Sequence, residues 1–262
     1  MIGIISNNID NATITSSGEN PYYLFSEGLI DTRLSRVGRT VGINNQWIKL
    51  AYAEAVDVDI VGIFGNNFTK DATVKIQANA TDSWGAPTVE ETMVYTKNGF
   101  KSNELGIDVG EWTYQFSSTQ SYKYWRIFVD DPTNLDGYIK IGFVFMDEKT
   151  VFPGMAVNQV FKRNTTSETA FSVSGQAYGL KRLQYNEAAF TFPVVTETEK
   201  STIDTFFDTV DTTTPFMLLV WEDSLDVQRP LYVVNTTLPE WKRSETIAGI
   251  TWTFNHSIQE VF

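Results

Sequence analysis

The sequence predicts a mainly β protein: an N-terminal antiparallel β-sandwich, followed by a second β-rich region that carries one α-helix. Three observations support this class. Apolar and polar residues alternate with a period of two over most of the chain. Short apolar runs are separated by turns rich in Gly, Asn, Asp and Pro. One stretch has the 3.6-residue period of an amphipathic helix. With 262 residues, the chain is long enough for two domains of roughly 150 residues each.

The first predicted region, residues 1–152, contains the clearest strand patterns. Residues 56–64 alternate at first and then become apolar on both faces, which is typical of a strand that enters the centre of a sandwich. Residues 130–137 are rich in turn formers and predict a connection between two strands. Residues 82–114 show no clear period and are interpreted as a long loop excursion. The strands predicted in this region cover residues 56–64, 72–78, 125–129 and 138–146.

The second predicted region, residues 153–262, begins at the sharp turn expected for Pro153 and Gly154. A helix is predicted near 197–210, because Thr196 and Glu199 have the spacing of a capping box. The apolar stripe of this helix consists of Ile203, Phe206, Phe207 and Val210. Strands are predicted over residues 170–174, 180–192, 215–221, 231–234 and 249–258.

The composition excludes several classes of function. The chain has no cysteine, so it has no disulfide, no thiol nucleophile and no thiolate metal site. Its one histidine, His256, excludes multi-histidine zinc sites and leaves a single candidate base for a serine triad. A net charge of −12 argues against specific nucleic-acid binding, because phosphate-backbone binders concentrate Lys and Arg. No secretion signal and no apolar run of membrane-spanning length, about 20 residues, is visible.

Candidate catalytic and metal-binding residues all have a simpler structural interpretation. Alternation places His256 on the apolar side of its strand, where a core or interface histidine with a satisfied ring nitrogen is expected. The acidic pairs are interpreted as solvated strand faces or turns rather than as a glycosidase acid/base pair. They are Asp57/Asp59, Glu90/Glu91 and Asp130/Asp131. The sequence therefore predicts no enzyme, no catalytic residue and no cofactor.

Two binding hypotheses remain open beside this interpretation. Asp130, Asp131, Asn134 and Asp136 supply enough oxygen atoms for a calcium loop in principle, without the spacing of an EF-hand, so no metal site is predicted. Exposed aromatic rings can stack on sugars, although aromatic residues also fill β-sandwich cores and oligomer interfaces. The candidate rings are those of Tyr22, Tyr23, Trp84, Trp112, Tyr114, Tyr122 and Tyr124.

Residues 55–69 and 72–74, an alternating strand followed by Gly-Asn-Asn and Ala-Thr-Val, resemble a pattern in tail proteins of long-tailed bacteriophages. In those proteins the pattern belongs to a galactose-binding-like, discoidin-like jelly-roll sandwich. The second region is similar to the hub or tail-tube-like fold of distal tail and baseplate hub proteins. The segments that carry this second resemblance are residues 190–194, 203–210, 215–220, Trp241 and 252–261.

The resemblance implies a structural virion component, made in the host cytoplasm, that assembles at the phage tail tip. Such proteins form homo-oligomeric rings, here expected to be hexamers or trimers, which join the tail tube to the baseplate, hub or fibres. The alternative is a glycan- or host-receptor-binding module of a tail, with carbohydrate as a partner. A polysaccharide-degrading enzyme built on a sandwich is the third hypothesis.

Overall fold

A computed structural model describes residues 3–5, 9–102, 108–154, 160–165, 168–171, 174, 177–180, 184–222, 227–246 and 249–260. This part of the chain is mainly β with antiparallel strands, which confirms the predicted fold class. The strands of the N-terminal half are β1 (Gly3–Ile5), β2 (Thr13–Ser16), β3 (Gly38–Arg39), β4 (Gln46–Phe64), β5 (Thr73–Asn79), β6 (Val89–Thr92), β7 (Val94–Ser102), β8 (Asp108–Asp130), β9 (Lys140–Ile141), β10 (Phe143–Asp147) and β11 (Thr150–Val151). Those of the C-terminal half are β12 (Val160–Thr165), β13 (Glu168–Phe171), β14 (Ala177–Leu180), β15 (Gln184–Val195), β16 (Phe216–Glu222), β17 (Val227–Asn235), β18 (Glu240–Thr246) and β19 (Gly249–Glu260). The helices are a 3-10 turn (Ile9–Asn11), the single-turn α1 (Phe25–Gly28) and α2 (Glu197–Thr209).

The chain divides into two compact units. The sandwich unit comprises Ile2–Val151 and Phe216–Tyr232, and the helical unit comprises Phe152–Pro215 and Val233–Val261. Compactness does not test where independently folding domains begin and end. The predicted domain division at residue 152 therefore stays a prediction. Neither α-helix in the described ranges has the length and apolar character of a transmembrane helix.

A seven-stranded antiparallel sheet forms the centre of the sandwich unit. Its strand order is β10-β4-β8-β5-β6, with β2 beside β4 and β7 beside β8. One face of β4 is buried at Ile48, Leu50 and Val58, and the strand becomes buried on both faces from Ile60 to Phe64. The sequence pattern predicts this change from burial on one face to burial on both faces, which results from packing on both sides of the sheet.

Different side chains cover the two faces of β4 at this point. Ile63 belongs to the main apolar core, together with Phe68 and Trp112. Phe64 instead packs against Phe145 and Tyr232, with ring centroids 5.8 and 5.6 Å away. An aromatic side chain from the C-terminal half of the sequence therefore completes the packing of the sandwich unit.

The interpretation of residues 82–114 as a loop excursion is wrong. This stretch contains β6 and β7, and β8 begins at Asp108 within it. β6 pairs with β5, and β7 pairs with β8. Their residues lie at a sheet edge or across register shifts, for example between Lys97 and Ser102. Such interruptions break the regular alternation by which a strand is recognised in sequence.

The helical unit contains the one long helix that the sequence predicts. Thr196 accepts a hydrogen bond from the Glu199 amide, and the Glu199 carboxylate accepts one from the Thr196 amide, which completes the capping box. Ile203, Phe206 and Phe207 are buried along one side of the helix. In the same unit β15 pairs with β12 and β19, and β18 pairs with β19. The strands predicted at 170–174 and 180–192 fall partly outside the described residues.

Candidate functional site

A tight turn in the sandwich unit places two tyrosines at the surface. The Tyr23 amide donates to the Asn20 carbonyl (3.0 Å), and the Tyr22 amide donates to the Asn20 side-chain oxygen (3.0 Å). Pro21 occupies the second position of this turn, where its fixed φ is favourable. Tyr22 is 88% exposed and Tyr23 is 40% exposed. The sequence Asn-Pro-Tyr-Tyr therefore presents two aromatic rings to solvent.

The guanidinium of Arg39 lies against two tyrosine rings. Its Cζ is 4.0 Å from the ring centroid of Tyr23 and 4.7 Å from that of Tyr138. Backbone hydrogen bonds fix Arg39 beside the turn: its amide donates to the Tyr23 carbonyl, and its carbonyl accepts from the Asn20 amide. A cation held over two aromatic faces is restricted in its rotamers and aimed in one direction.

A second cation lies directly opposite Arg39. β3 pairs with β9 so that Arg39 faces Lys140, and directly opposed residues of antiparallel strands share a face. Within the described residues, no hydrogen bond or ion pair engages the guanidinium of Arg39 or the ammonium of Lys140, and Arg39 Nε is buried without a partner. Two like charges in register repel each other, so this pair is unfavourable for the isolated fold.

The nearby carboxylates are used by other donors. Glu19, on a bridge to Thr40, accepts a hydrogen bond from the Phe25 amide. Asp136 accepts from the side chain of Asn67 (2.8 Å). Among the described residues, neither carboxylate forms an ion pair with Arg39 or Lys140.

The buried side chain of Asn67 positions Tyr138 and Lys140. Its Nδ2 donates to the Tyr138 carbonyl (3.0 Å), and its Oδ1 accepts from the Lys140 amide (2.7 Å). Asn67 is fully buried, so both of these hydrogen bonds are shielded from water. The amide thus holds one short segment with Tyr138 and Lys140, two residues apart, on the same side. We call Tyr22, Tyr23, Arg39, Tyr138 and Lys140 the tyrosine–arginine site.

The interpretation of Asp131 as a solvated turn residue is wrong. Asp131 is fully buried, and its carboxylate accepts from the Thr69 amide (2.8 Å), the Thr69 hydroxyl (2.6 Å) and the Thr133 hydroxyl (3.2 Å). Asp130 turns elsewhere and accepts from the Asn45 amide. A buried carboxylate requires such donors, and here it ties two surface connections together.

These contacts also bear on the calcium hypothesis for the loop from Asp130 to Gly137. Asp131 and Asp136 accept from Thr69 and Asn67 of one connection, whereas Asp130 accepts from the Asn45 amide. In the part of the chain that the structure describes, no three histidine or carboxylate side chains form a group that could hold a metal ion.

The other aromatic residues proposed as sugar platforms have different environments. Trp112 is 3% exposed and belongs to the core, so its assignment as a candidate platform is wrong. Tyr114 and Tyr122 are half-buried and pack against the same core. Tyr124 and Trp84 are also half-buried. Only Tyr22 and Tyr23, of the seven candidates, are among the exposed large side chains.

A second arginine–aromatic stack occurs on the seven-stranded sheet. The Arg126 Cζ lies 4.4 Å from the Trp84 ring centroid, and Arg126 Nε donates to the Gln77 side chain (2.6 Å). Gln77 in turn donates to Glu90, and Asp82 accepts from both Lys49 and Trp84. Burial lowers the pKa of Arg126, while the Glu90 and Asp82 charges oppose this shift. In this group Arg126 donates to Gln77, and the carboxylates of Glu90 and Asp82 accept hydrogen bonds from neighbouring side chains.

His256 lies in the core of the helical unit, on the apolar side of β19 as predicted. It is 2% exposed, and its ring contacts that of Phe207 at a centroid distance of 5.0 Å. The expectation of a satisfied ring nitrogen is wrong, because neither Nδ1 nor Nε2 has a hydrogen-bond partner. Burial lowers the pKa of His256 to about 4, so the ring is neutral at pH 7.

Comparison with known proteins finds similarity at the level of folds only. No family model matches the chain, and no curated protein matches it.

The sandwich resembles carbohydrate-binding modules. These include the family 32 module of C. perfringens NanJ, solved with galactose (16% identity, TM-score 0.38, covering 56% of this chain and 98% of that one). Chitosan-binding module 1 of the Paenibacillus sp. IK-5 chitosanase/glucanase has 18% identity and a TM-score of 0.40 over 55% of this chain and all of that one. The family 32 module of AlyQ, solved with 4,5-unsaturated mannuronic acid, has 16% identity and a TM-score of 0.36 over 51% of this chain and 92% of that one. Similarity at this level does not identify binding residues.

The sequence pointed to only part of the tyrosine–arginine site. Tyr22 and Tyr23 are among the sequence candidates because aromatic rings can stack on sugars. The sequence gives no signal for the other three residues, Arg39, Tyr138 and Lys140, because each lies in a short segment without a motif. Their relationship is created by the two-residue pairing of β3 with β9, which carries too little pattern to be recognised.

Proposed function

We propose that this protein is a glycan-binding module and that the tyrosine–arginine site is where the glycan binds. The observation that carries the proposal is the Arg39 guanidinium, which lies against the rings of Tyr23 and Tyr138 and has no hydrogen-bond or ion-pair partner among the residues that the structure describes. The exposed Tyr22 precedes Tyr23 in the same turn. Arginine and tyrosine are the residue types enriched at sites where recognition energy is concentrated.

The chemistry of the site suits a sugar. An exposed aromatic ring offers a flat apolar face to the C–H groups of a pyranose, and the adjacent donors can orient its oxygen atoms. Tyr22 supplies such a face, and Arg39 and Lys140 supply donors. The rotamer of Arg39 is set by stacking before any ligand arrives, so less conformational entropy is lost on binding. Two of the similar modules were solved in complex with sugars, galactose and 4,5-unsaturated mannuronic acid, which accords with this proposal.

A glycan array probed with the full chain tests the proposal. We expect binding to a subset of oligosaccharides, and a loss of about tenfold or more in affinity on Tyr22→Ala, measured by calorimetry on the best array ligand. Trp84→Ala is the matched control, because it removes another aromatic ring that lies against an arginine. That variant should bind like the parent protein. Absence of array binding, or equal loss in both variants, would contradict the proposal.

The tail-tip role stays a prediction from the sequence. Ring formation as a hexamer or trimer, contacts with tail tube, hub or fibres, and a virion location are part of that prediction. Light scattering coupled to size-exclusion chromatography tests its first step, since a ring-forming protein should show a defined oligomer whose share rises with concentration. The glycan-binding proposal requires no particular oligomeric state. A glycan-binding tail module would unite the two hypotheses.

A further inference from the structure

We propose that the glycan recognised at the tyrosine–arginine site is acidic, with a carboxylate or sulfate group that binds between Arg39 and Lys140. This inference rests on the proposed function of the site. It adds the charge of the ligand to that proposal, and it is argued mainly from the two opposed cations Arg39 and Lys140.

The first step is the register of β3 and β9. Arg39 and Lys140 are directly opposite each other, so their side chains leave the same face of this two-stranded sheet. Like charges at such positions destabilise the pairing. An anion bound between them would convert this repulsion into two attractive contacts.

The second step is the lack of an internal anion. Glu19 and Asp136, the carboxylates on adjoining segments, accept hydrogen bonds from the Phe25 amide and the Asn67 side chain. Arg126 is likewise directly opposite a lysine, Lys49, but there Asp82 pairs with Lys49 (2.6 Å) and the Arg126 Nε donates to Gln77. The charges of Glu90 and Asp82 also act on Arg126. The fold thus supplies counter-charges to one stacked arginine and leaves the other without them.

The third step is the state of the Arg39 side chain. Its Nε is buried with no acceptor, and its Cζ lies 4.0 and 4.7 Å from the ring centroids of Tyr23 and Tyr138. A guanidinium that stacks on aromatic rings through its face binds a planar anion through its edge, by two parallel hydrogen bonds. A neutral hydroxyl would satisfy one donor and leave the charge without compensation.

The net charge of −12 restricts the ligand further. The field of an acidic protein repels polyanions over distances of about the Debye length, roughly 8 Å at physiological salt. We therefore expect an oligosaccharide with an isolated acidic group, such as one terminal acidic sugar, and not a densely charged polymer.

The test compares oligosaccharides that share one core and differ in a single group. Calorimetry with lactose, 3′-sialyllactose, its carboxyl methyl ester and 3′-sulfolactose measures the contribution of the anion directly, and an array of neutral and acidic pairs extends it to other cores. We expect the acidic members of the preferred core to bind at least about tenfold more tightly than the neutral members, and this preference to weaken as salt rises. The stronger of the carboxylate and sulfate ligands assigns the anion.

Two lysine variants separate local from general charge effects. Lys140→Gln should reduce the ratio of acidic-ligand to neutral-ligand affinity to about threefold or less, whatever its effect on the affinity for the neutral ligand. Lys70→Gln is the matched control, because Lys70 is exposed, pairs only with Asp71, and its loss changes the net charge equally. The control should keep the full preference.

The outcomes distinguish this inference from the proposed function. Equal affinity for acidic and neutral ligands, sensitive to Tyr22→Ala, would overturn the inference and leave the glycan-binding function standing. The absence of binding to any member of the array would overturn both. An acidic preference that Lys70→Gln lowers as much as Lys140→Gln does would also overturn the inference, because the effect would then be one of overall charge.

Discussion

Two arginines of the sandwich unit lie against aromatic rings at similar distances, yet their surroundings differ. Arg126 lies 4.4 Å from the Trp84 ring and donates to Gln77, which is linked in turn to Glu90 and Lys75. Arg39 lies 4.0 Å from Tyr23 and faces Lys140, and no acceptor for its guanidinium is found in the part of the chain that the structure describes. Arg126 also faces a lysine, Lys49, but that lysine pairs with Asp82. The comparison teaches that a stacked arginine is a binding candidate when the fold leaves its hydrogen bonds unmade. An arginine whose donors the fold has already used serves stability.

The same distinction separates two other buried polar groups. Asp131 is surrounded by donors, whereas His256 has no partner for either ring nitrogen. Removing a partnered group should destabilise the fold, because its partners are left unsatisfied. Replacing an unpartnered group with an apolar one should cost little or stabilise the fold.

The largest effect is expected at Asp131. Asp131→Ala should lower the free energy of unfolding by about 3 kcal/mol or more, because the buried Thr69 amide and hydroxyl lose their acceptor. Urea unfolding monitored by tryptophan fluorescence measures this change. Asp71→Ala, which removes an exposed carboxylate paired with Lys70, should change the same quantity by less than about 0.5 kcal/mol. Similar losses in both variants would contradict the role given to Asp131.

The next effect concerns pH and His256. Its pKa of about 4 in the folded protein lies below the ordinary histidine pKa of 6.5, so the unfolded chain binds the proton more tightly. The stability contribution is therefore complete above pH 6.5, falls as the pH drops towards 4, and shows no further loss below that. Between pH 7.5 and 5 this one group should lower the free energy of unfolding by about 2 kcal/mol.

The variant His256→Leu isolates this effect. It should be at least as stable as the parent protein at pH 7.5, and its loss of stability on acidification should be smaller by the amount attributed to the histidine. If the free energy of unfolding changed with pH in the same way in both proteins, the histidine would not be buried without a hydrogen-bond partner. The carboxylates titrate in both proteins, so their contribution cancels in the comparison.

The smallest effects test the two arginines themselves. Arg126→Met should lower the free energy of unfolding by about 1–2 kcal/mol, because the buried side-chain oxygen of Gln77 loses its donor. Arg39→Met should change it by less than about 0.5 kcal/mol, since a loss of stacking is offset by the removal of repulsion from Lys140. Glycan binding should show the reverse order, with the loss confined to Arg39→Met. If Arg39→Met lost more stability than Arg126→Met, the contacts of Arg39 with the tyrosine rings would be shown to stabilise the fold.

The sequence by itself determined the features that depend on neighbouring residues. The mainly β class follows from the period-two pattern, and helix α2 follows from the Thr196–Glu199 capping box and its apolar stripe. The turn that presents Tyr22 and Tyr23 follows from Asn20 and Pro21. These signals lie within a few residues of each other, so chain geometry alone converts them into structure.

Only the tertiary structure decided which polar groups have partners. Asp130 and Asp131 are adjacent in sequence, yet one accepts from the Asn45 amide and the other is buried against Thr69. Arg39 meets Tyr138 and Lys140 through a pairing of two-residue strands from distant parts of the chain. Hydrogen bonds and charge pairs act over a few ångströms in space, and the distance along the chain says nothing about them. The opposed cations Arg39 and Lys140, from which the acidic-glycan proposal follows, therefore have no counterpart in the sequence pattern.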